Sequence, residues 1–146
     1  MVRSNKPLSL LQQEINLNQR FPGSQVIRFR NEYLIWTYNL LPKPLSQTYT
    51  IQLHYDQIEG IKVFVVKPMP LPLAKRKKNL PHVYSTKAQL LCLFYPDGKE
   101  WNESMLYTRT IIPWTCEWLC HYEIWVGTGV WHGSSSNHEA SNEDID

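Results

Sequence analysis

A chain of 146 residues, 42% hydrophobic and 12% aromatic, is long enough to bury one real core and short for two, and it is too apolar to be a disordered polymer. No run approaches the roughly 18 uninterrupted apolar residues that span a membrane. The opening "MVRSNKPLSLLQQEINLNQ" lacks the roughly 7–15-residue apolar core of a secretory signal, so a cytoplasmic protein with no membrane partner is expected. The net charge of +2 conceals an asymmetry. The last fourteen residues, "GSSSNHEASNEDID", hold four acids and no Lys or Arg, which leaves nine acids against fifteen bases, or +6, on residues 1–132. The densest basic patch, "KRKK" at 75–78, reads as a solvated loop, and no nucleic-acid-binding motif accompanies it.

Residues 9–20 read as an amphipathic helix. Ser9 caps it, Gln12 completes a capping box, Leu11 and Ile15 share a face, and "FPG" (21–23) stops it. Four strands follow. "SQVIRFR" alternates Ile27 and Phe29 with Arg28 and Arg30, an Asn31-Glu32 turn leads to "YLIWTYNLL", and "PKPLS" breaks that strand. "QTYTIQLHYD" (47–56) puts Tyr49, Ile51, Leu53 and Tyr55 on one side, and "IKVFVVKP" (61–68) is the fourth. Short connections without intervening helices make these an antiparallel meander behind one helix, an α+β layout.

The pattern then changes. "KPMPLPLAKRKKNLP" (67–81) carries four prolines and no period, and reads as an irregular, extended crossing. Residues 82–95 hold an apolar run around Cys92, and "YPDGKEW" (95–101) is a turn centred on Asp97-Gly98. "IPWTCEWLCHYEIWVGTG" reads as a second helix, with Pro113 in its first turn and Gly127 at its stop. Trp114, Trp118, His121, Tyr122 and Trp125 give that helix a broad aromatic surface, expected to pack on the sheet. The domain is expected to span 1–132, followed by a disordered acidic tail over 133–146.

Three cysteines, Cys92, Cys116 and Cys120, make an odd number, and a cytosol keeps them reduced. Cys116 and Cys120 lie one helical turn apart. A zinc site made from them with His121 or His132 matches no common structural spacing, so no metal is expected. Neither a P-loop nor a GxGxxG is present, so no nucleotide cofactor is expected either. Taken alone, "QLLCLF" reads as a core strand with a buried cysteine.

In order, the chain offers a helix, a four-strand meander, a proline-rich crossing, His82, Cys92 ten residues later, Trp101 in "GKEWNES", and a final helix. This resembles ubiquitin-conjugating enzymes, whose active cysteine follows the His of a His-Pro-Asn motif by about ten residues, in a small-apolar context like "LLCLF". The block "PHVYS…LCLFYP…W…IIPWTCEWL…W" is more closely similar to the compact conjugating-enzyme-like (E2-like) proteins of bacterial CBASS anti-phage operons, in the short form without a fused activating-enzyme domain. The resemblance covers residues 8–132. It implies the ubiquitin-conjugating-enzyme fold, a bacterial cytoplasmic transferase, and Cys92 as the nucleophile. It further implies that Cys92 carries a protein C-terminus as a thioester and passes it to an amine. The implied donor is the C-terminus of the operon's cGAS-like nucleotidyltransferase (CD-NTase), primed thereby for second-messenger synthesis, and the acceptors are lysines of target proteins.

The sequence departs from the family pattern in two places. Proline precedes His82 instead of following it, and Tyr84 stands where the family asparagine would be. Loss of an oxyanion donor costs about 2.7–4 kcal/mol of transition-state stabilisation, so a substitute is needed. The Tyr84 hydroxyl, Asn79 and backbone N–H groups are the options. Only one helix follows the active-site region, whereas larger members carry two more, so Asp97 and Glu100 are the nearest carboxylates for activating a lysine. His82 reads as a structural or supporting residue that bonds the crossing loop. Two rivals remain: a catalytically silent E2-like binding module that holds a partner's tail, and a Cys92/His82 hydrolase.

Overall fold

The computed structural model describes residues 6–133. Helix α1 (Leu10–Arg20) begins where expected. The Ser9 hydroxyl accepts from the Gln12 N–H at 3.1 Å, and the Gln12 side chain accepts from the Ser9 N–H at 2.8 Å, so two otherwise orphaned donors are satisfied reciprocally. The helix turns a different face inward from the one its apolar pair marks. Leu10, Gln13 and Leu17 are buried, whereas Leu11 and Ile15 are each 49% exposed. Gln13 decides the orientation. Its amide donates to the Met105 carbonyl at 3.0 Å and accepts from the Tyr107 N–H at 3.0 Å, fastening the segment before the second helix.

The strands β1 (Gln25–Phe29), β2 (Tyr33–Leu40), β3 (Tyr49–Asp56) and β4 (Gly60–Lys67) form the expected antiparallel meander. Tyr49, Ile51, Leu53 and Tyr55 all face the core, as their alternation requires. On β1 the same alternation works the other way. Arg28 leans back to Glu14 of α1 at 2.5 Å, and Ile27 (61% exposed) and Phe29 point to solvent.

The sheet has six strands rather than four. β5 (Val83–Ser85) and β6 (Leu90–Leu91) add a short hairpin, giving the order β1-β2-β3-β4-β6-β5. The apolar run 82–95 is therefore not one continuous segment. Gln89 explains the insertion. It takes a left-handed backbone (φ 54°), its carbonyl accepts from the Val65 N–H, and its buried amide donates to the carbonyls of Val65 and Pro68. Its side-chain oxygen accepts from the Leu71 N–H at 2.6 Å. One glutamine thus ties the end of β4, the proline-rich crossing and the hairpin together, supplying partners that an irregular segment cannot find in a ladder.

Helix α2 (Ile111–Thr128) starts with Pro113 in its first turn and runs two residues past the expected glycine stop. Gly127 lies inside it, and Gly129, with φ 80°, takes the left-handed cap. Its inner face buries Ile111, Thr115, Trp118, Leu119, Tyr122 and Trp125. Two polar hooks on that face reach the crossing: Tyr122 Oη donates to the Pro72 carbonyl at 2.6 Å and Trp118 Nε1 to the His82 carbonyl at 3.0 Å. Among the described residues no helix is long and apolar enough to cross a membrane. The expected acidic tail, from residue 134 onward, lies outside the described residues.

Candidate active site

Cys92 follows directly on β6, at the point where the hairpin leaves the sheet. Its N–H donates to the His82 carbonyl at 3.0 Å, so the ten-residue interval closes into a bonded pair of backbones. Because Trp118 Nε1 donates to the same oxygen, the second helix fixes the loop from behind. His82 holds a left-handed backbone (φ 49°), which turns its carbonyl toward both donors. Its ring stacks on Trp131 with centroids 4.9 Å apart.

Cys92 is only 7% exposed, yet it lines a cavity of about 430 Å³. His82, Glu100, Glu117, His121 and the indoles of Trp114, Trp118 and Trp131 share that lining. Burial pushes the Cys92 thiol up from its ordinary range. The Tyr84 hydroxyl beside the sulfur pulls it back by favouring the thiolate, and the Glu100 carboxylate raises it again. Tyr84 also donates to the Phe94 carbonyl at 3.2 Å, and its own hydroxyl is held in the neutral form mainly by burial and by the sulfur beside it. On the other side of Leu93 and Phe94 lies a second, smaller cavity of about 260 Å³, lined by Tyr84, Ile61, Leu90 and Pro96.

Of the residues read from the sequence, Cys92, His82, Tyr84 and Glu100 come together here. Trp101 packs one layer below. It is buried, tilts against Phe94 at 5.6 Å, and donates from Nε1 to Thr110 Oγ1 at 3.1 Å. Asp97 is exposed and occupied in its own turn, accepting from the Lys99 N–H at 2.9 Å, and it lines neither cavity. Asn79 lines neither cavity either. Glu100, which accepts from the Tyr95 N–H at 2.6 Å, is the carboxylate of the 95–101 turn that reaches the cavity.

The sequence reading missed Glu117 as a site residue and gave His121 to the packing surface. Trp114, Glu117, Trp118 and His121 fall at i, i+3, i+4 and i+7 on α2, one continuous stripe facing the cavity. The signal was present: an acid and a histidine interrupt an otherwise apolar stripe. Cys116 and Cys120 lie on a different part of the helix and do not line the cavity; burial raises both thiols. Among the described residues no cluster of three or more His, Cys, Asp or Glu side chains is arranged to hold a metal.

Compared with known families, residues 13–139 match the family described as Type II CBASS E2 protein. No curated protein matches the chain.

Proposed function

The chain belongs to the Type II CBASS E2 protein family, which gives it a role in a CBASS anti-phage system, and from that premise we propose that it is a cysteine-dependent acyl transferase of the ubiquitin-conjugating-enzyme fold. Cys92 accepts a protein C-terminus as a thioester and passes it to an amine. The donor is the C-terminus of the operon's CD-NTase, and the transfer primes that enzyme for second-messenger synthesis. The observation that carries this reading is the position of Cys92: it lines a cavity while its backbone is pinned to the His82 carbonyl.

Thiol exchange between a donor thioester and Cys92 is nearly thermoneutral, so a strongly acidic thiol is not required. A small thiolate fraction suffices. The Tyr84 hydroxyl is the group that favours the thiolate, which supports it as the substitute for the family asparagine. It donates a hydrogen bond to the sulfur as the thiolate forms, and again as the sulfur leaves. His82 serves through its backbone carbonyl, as a support.

One observation favours a second reading, the silent binding module: Cys92 is only 7% exposed and its thiol is raised, not lowered. Mixing the protein with its CD-NTase and a cell lysate that supplies any activator separates the two. A transferase yields an adduct that thiols release, is absent in Cys92→Ala, and becomes a thiol-stable ester in Cys92→Ser. A complex that forms equally with Cys92→Ala, and never yields an adduct, identifies the module.

A further inference from the structure

The cavity beside Cys92 is larger than a thiol needs, and its lining has a consistent chemistry. Two carboxylates, Glu100 and Glu117, enter it from different elements, one from the 95–101 turn and one from α2. Three indoles, Trp114, Trp118 and Trp131, wall it. Carboxylates together with aromatic faces are what an ammonium group recognises, by charge and by cation–π attraction. His121 lines the same space. Its Nδ1 is buried with no hydrogen-bond partner, and its ring lies 5.5 Å from Trp131. A buried polar atom without a partner calls for an explanation. Among the described residues no group bonds that nitrogen, so its hydrogen-bonding capacity is left for a ligand in the cavity.

We infer that this cavity is the acceptor site, in which Glu100, Glu117 and the three tryptophans bind a primary alkylammonium such as a lysine side chain, and that His121 receives the proton lost when the amine attacks. The inference rests on the reading of Cys92 as a thioester carrier. The ammonium gives one proton to solvent. The neutral nitrogen then forms a C–N bond at the thioester carbonyl as the C–S bond breaks, and the C–S electron pair leaves on the Cys92 sulfur. The second N–H proton passes to His121, which returns it to the thiolate. The raised Cys92 thiol suits this last step, since a sulfur that prefers its proton recovers it readily.

The test loads Cys92 from a synthetic peptide thioester, so that no activating enzyme or partner is involved, and then follows single-turnover discharge to free lysine by intact mass. Loading is expected in the wild type and absent in Cys92→Ala. With the thioester in hand, Glu100→Gln and Glu117→Gln are expected to raise the lysine concentration needed for half-maximal discharge. Both variants are expected to lose discharge to lysine relative to discharge to hydroxylamine, which is uncharged at neutral pH and so makes no ammonium contact. His121→Gln and His121→Asn are expected to slow the maximal discharge rate by roughly 10²-fold, the scale of a positioned proton acceptor, while the lysine concentration for half-maximal discharge stays as in the wild type. Lysine discharge that is the same in loaded wild type and in all four loaded variants would overturn the acceptor-site assignment and leave the thioester reading standing. Failure of the wild type to load would remove both.

Discussion

Trp118 and Cys92 meet through a single atom: the indole N–H of one and the backbone N–H of the other both donate at 3.0 Å to the carbonyl oxygen of His82. The helix that carries the cavity's aromatic wall therefore also sets the backbone of the proposed nucleophile.

Replacing Trp118 with Phe keeps a ring in the core but removes the donor and leaves part of the His82 carbonyl unsatisfied. The expected loss is about 1–3 kcal/mol, or roughly 2–12 °C in the thermal midpoint. Loading of Cys92 from a peptide thioester should slow with it. A variant with an unchanged melting midpoint would show that the indole N–H is not what holds the loop.

The reactivity of Cys92 should track its two polar neighbours in opposite directions. Tyr84→Phe removes the hydroxyl that favours the thiolate, so the pH midpoint for alkylation of Cys92 should rise. Glu100→Gln removes a negative charge that opposes ionisation, so that midpoint should fall. Alkylation by iodoacetamide, followed by peptide mass across a pH series, reads both. Shifts of the same sign in the two variants would contradict the arrangement.

Stability should decline on the alkaline side. Burial raises the thiols of Cys92, Cys116 and Cys120 and pushes Tyr55 and Tyr122 up to about 12. Each group keeps its proton in the folded chain at pH values where the unfolded chain has lost it. The native state then binds more protons, and the unfolding free energy falls as pH rises. The decline begins near the unfolded thiol value of about 8.5 and steepens past the unfolded tyrosine value of about 10. Urea midpoints measured under reducing conditions should be lower at about pH 10 than at about pH 7.5. A midpoint that holds or rises at the higher pH would refute this.

On α1, the choice of buried face has a simple signature. Leu17→Ala empties a fully buried site and should cost about 2–5 kcal/mol. Leu11→Ala and Ile15→Ala, on the face that is half exposed, should each stay within about 0.5–1 kcal/mol of wild type. Chemical denaturation of the three variants gives the comparison directly, and a large loss at Leu11 would reverse the orientation described for the helix.

Much of the fold is local, and for that reason it was legible. The Ser9–Gln12 capping box, the period-2 alternation of Tyr49, Ile51, Leu53 and Tyr55, and the Asp97-Gly98 turn depend on neighbours a few residues away. The chain order of His82, Cys92 and Trp101 could likewise be read without coordinates. The hairpin of β5 and β6 could not, because it exists through Gln89, whose amide finds Val65, Pro68 and Leu71 only once the crossing has folded back. Nor could the inward face of α1, which Gln13 selects by bonding Met105 and Tyr107 some ninety residues later.

The site divides along the same line. The sequence by itself determined which residue types were available: one cysteine ten residues after a histidine, a tyrosine in place of an asparagine, and an aromatic helix bearing an acid and a histidine. Only the tertiary structure decided that the Tyr84 hydroxyl lies beside the Cys92 sulfur, that Glu100 rather than Asp97 reaches the cavity, and that Glu117 and His121 line it too. Side-chain chemistry is written residue by residue. The distances between charges, and the burial that shifts a thiol, exist only after separate elements have closed around the same space.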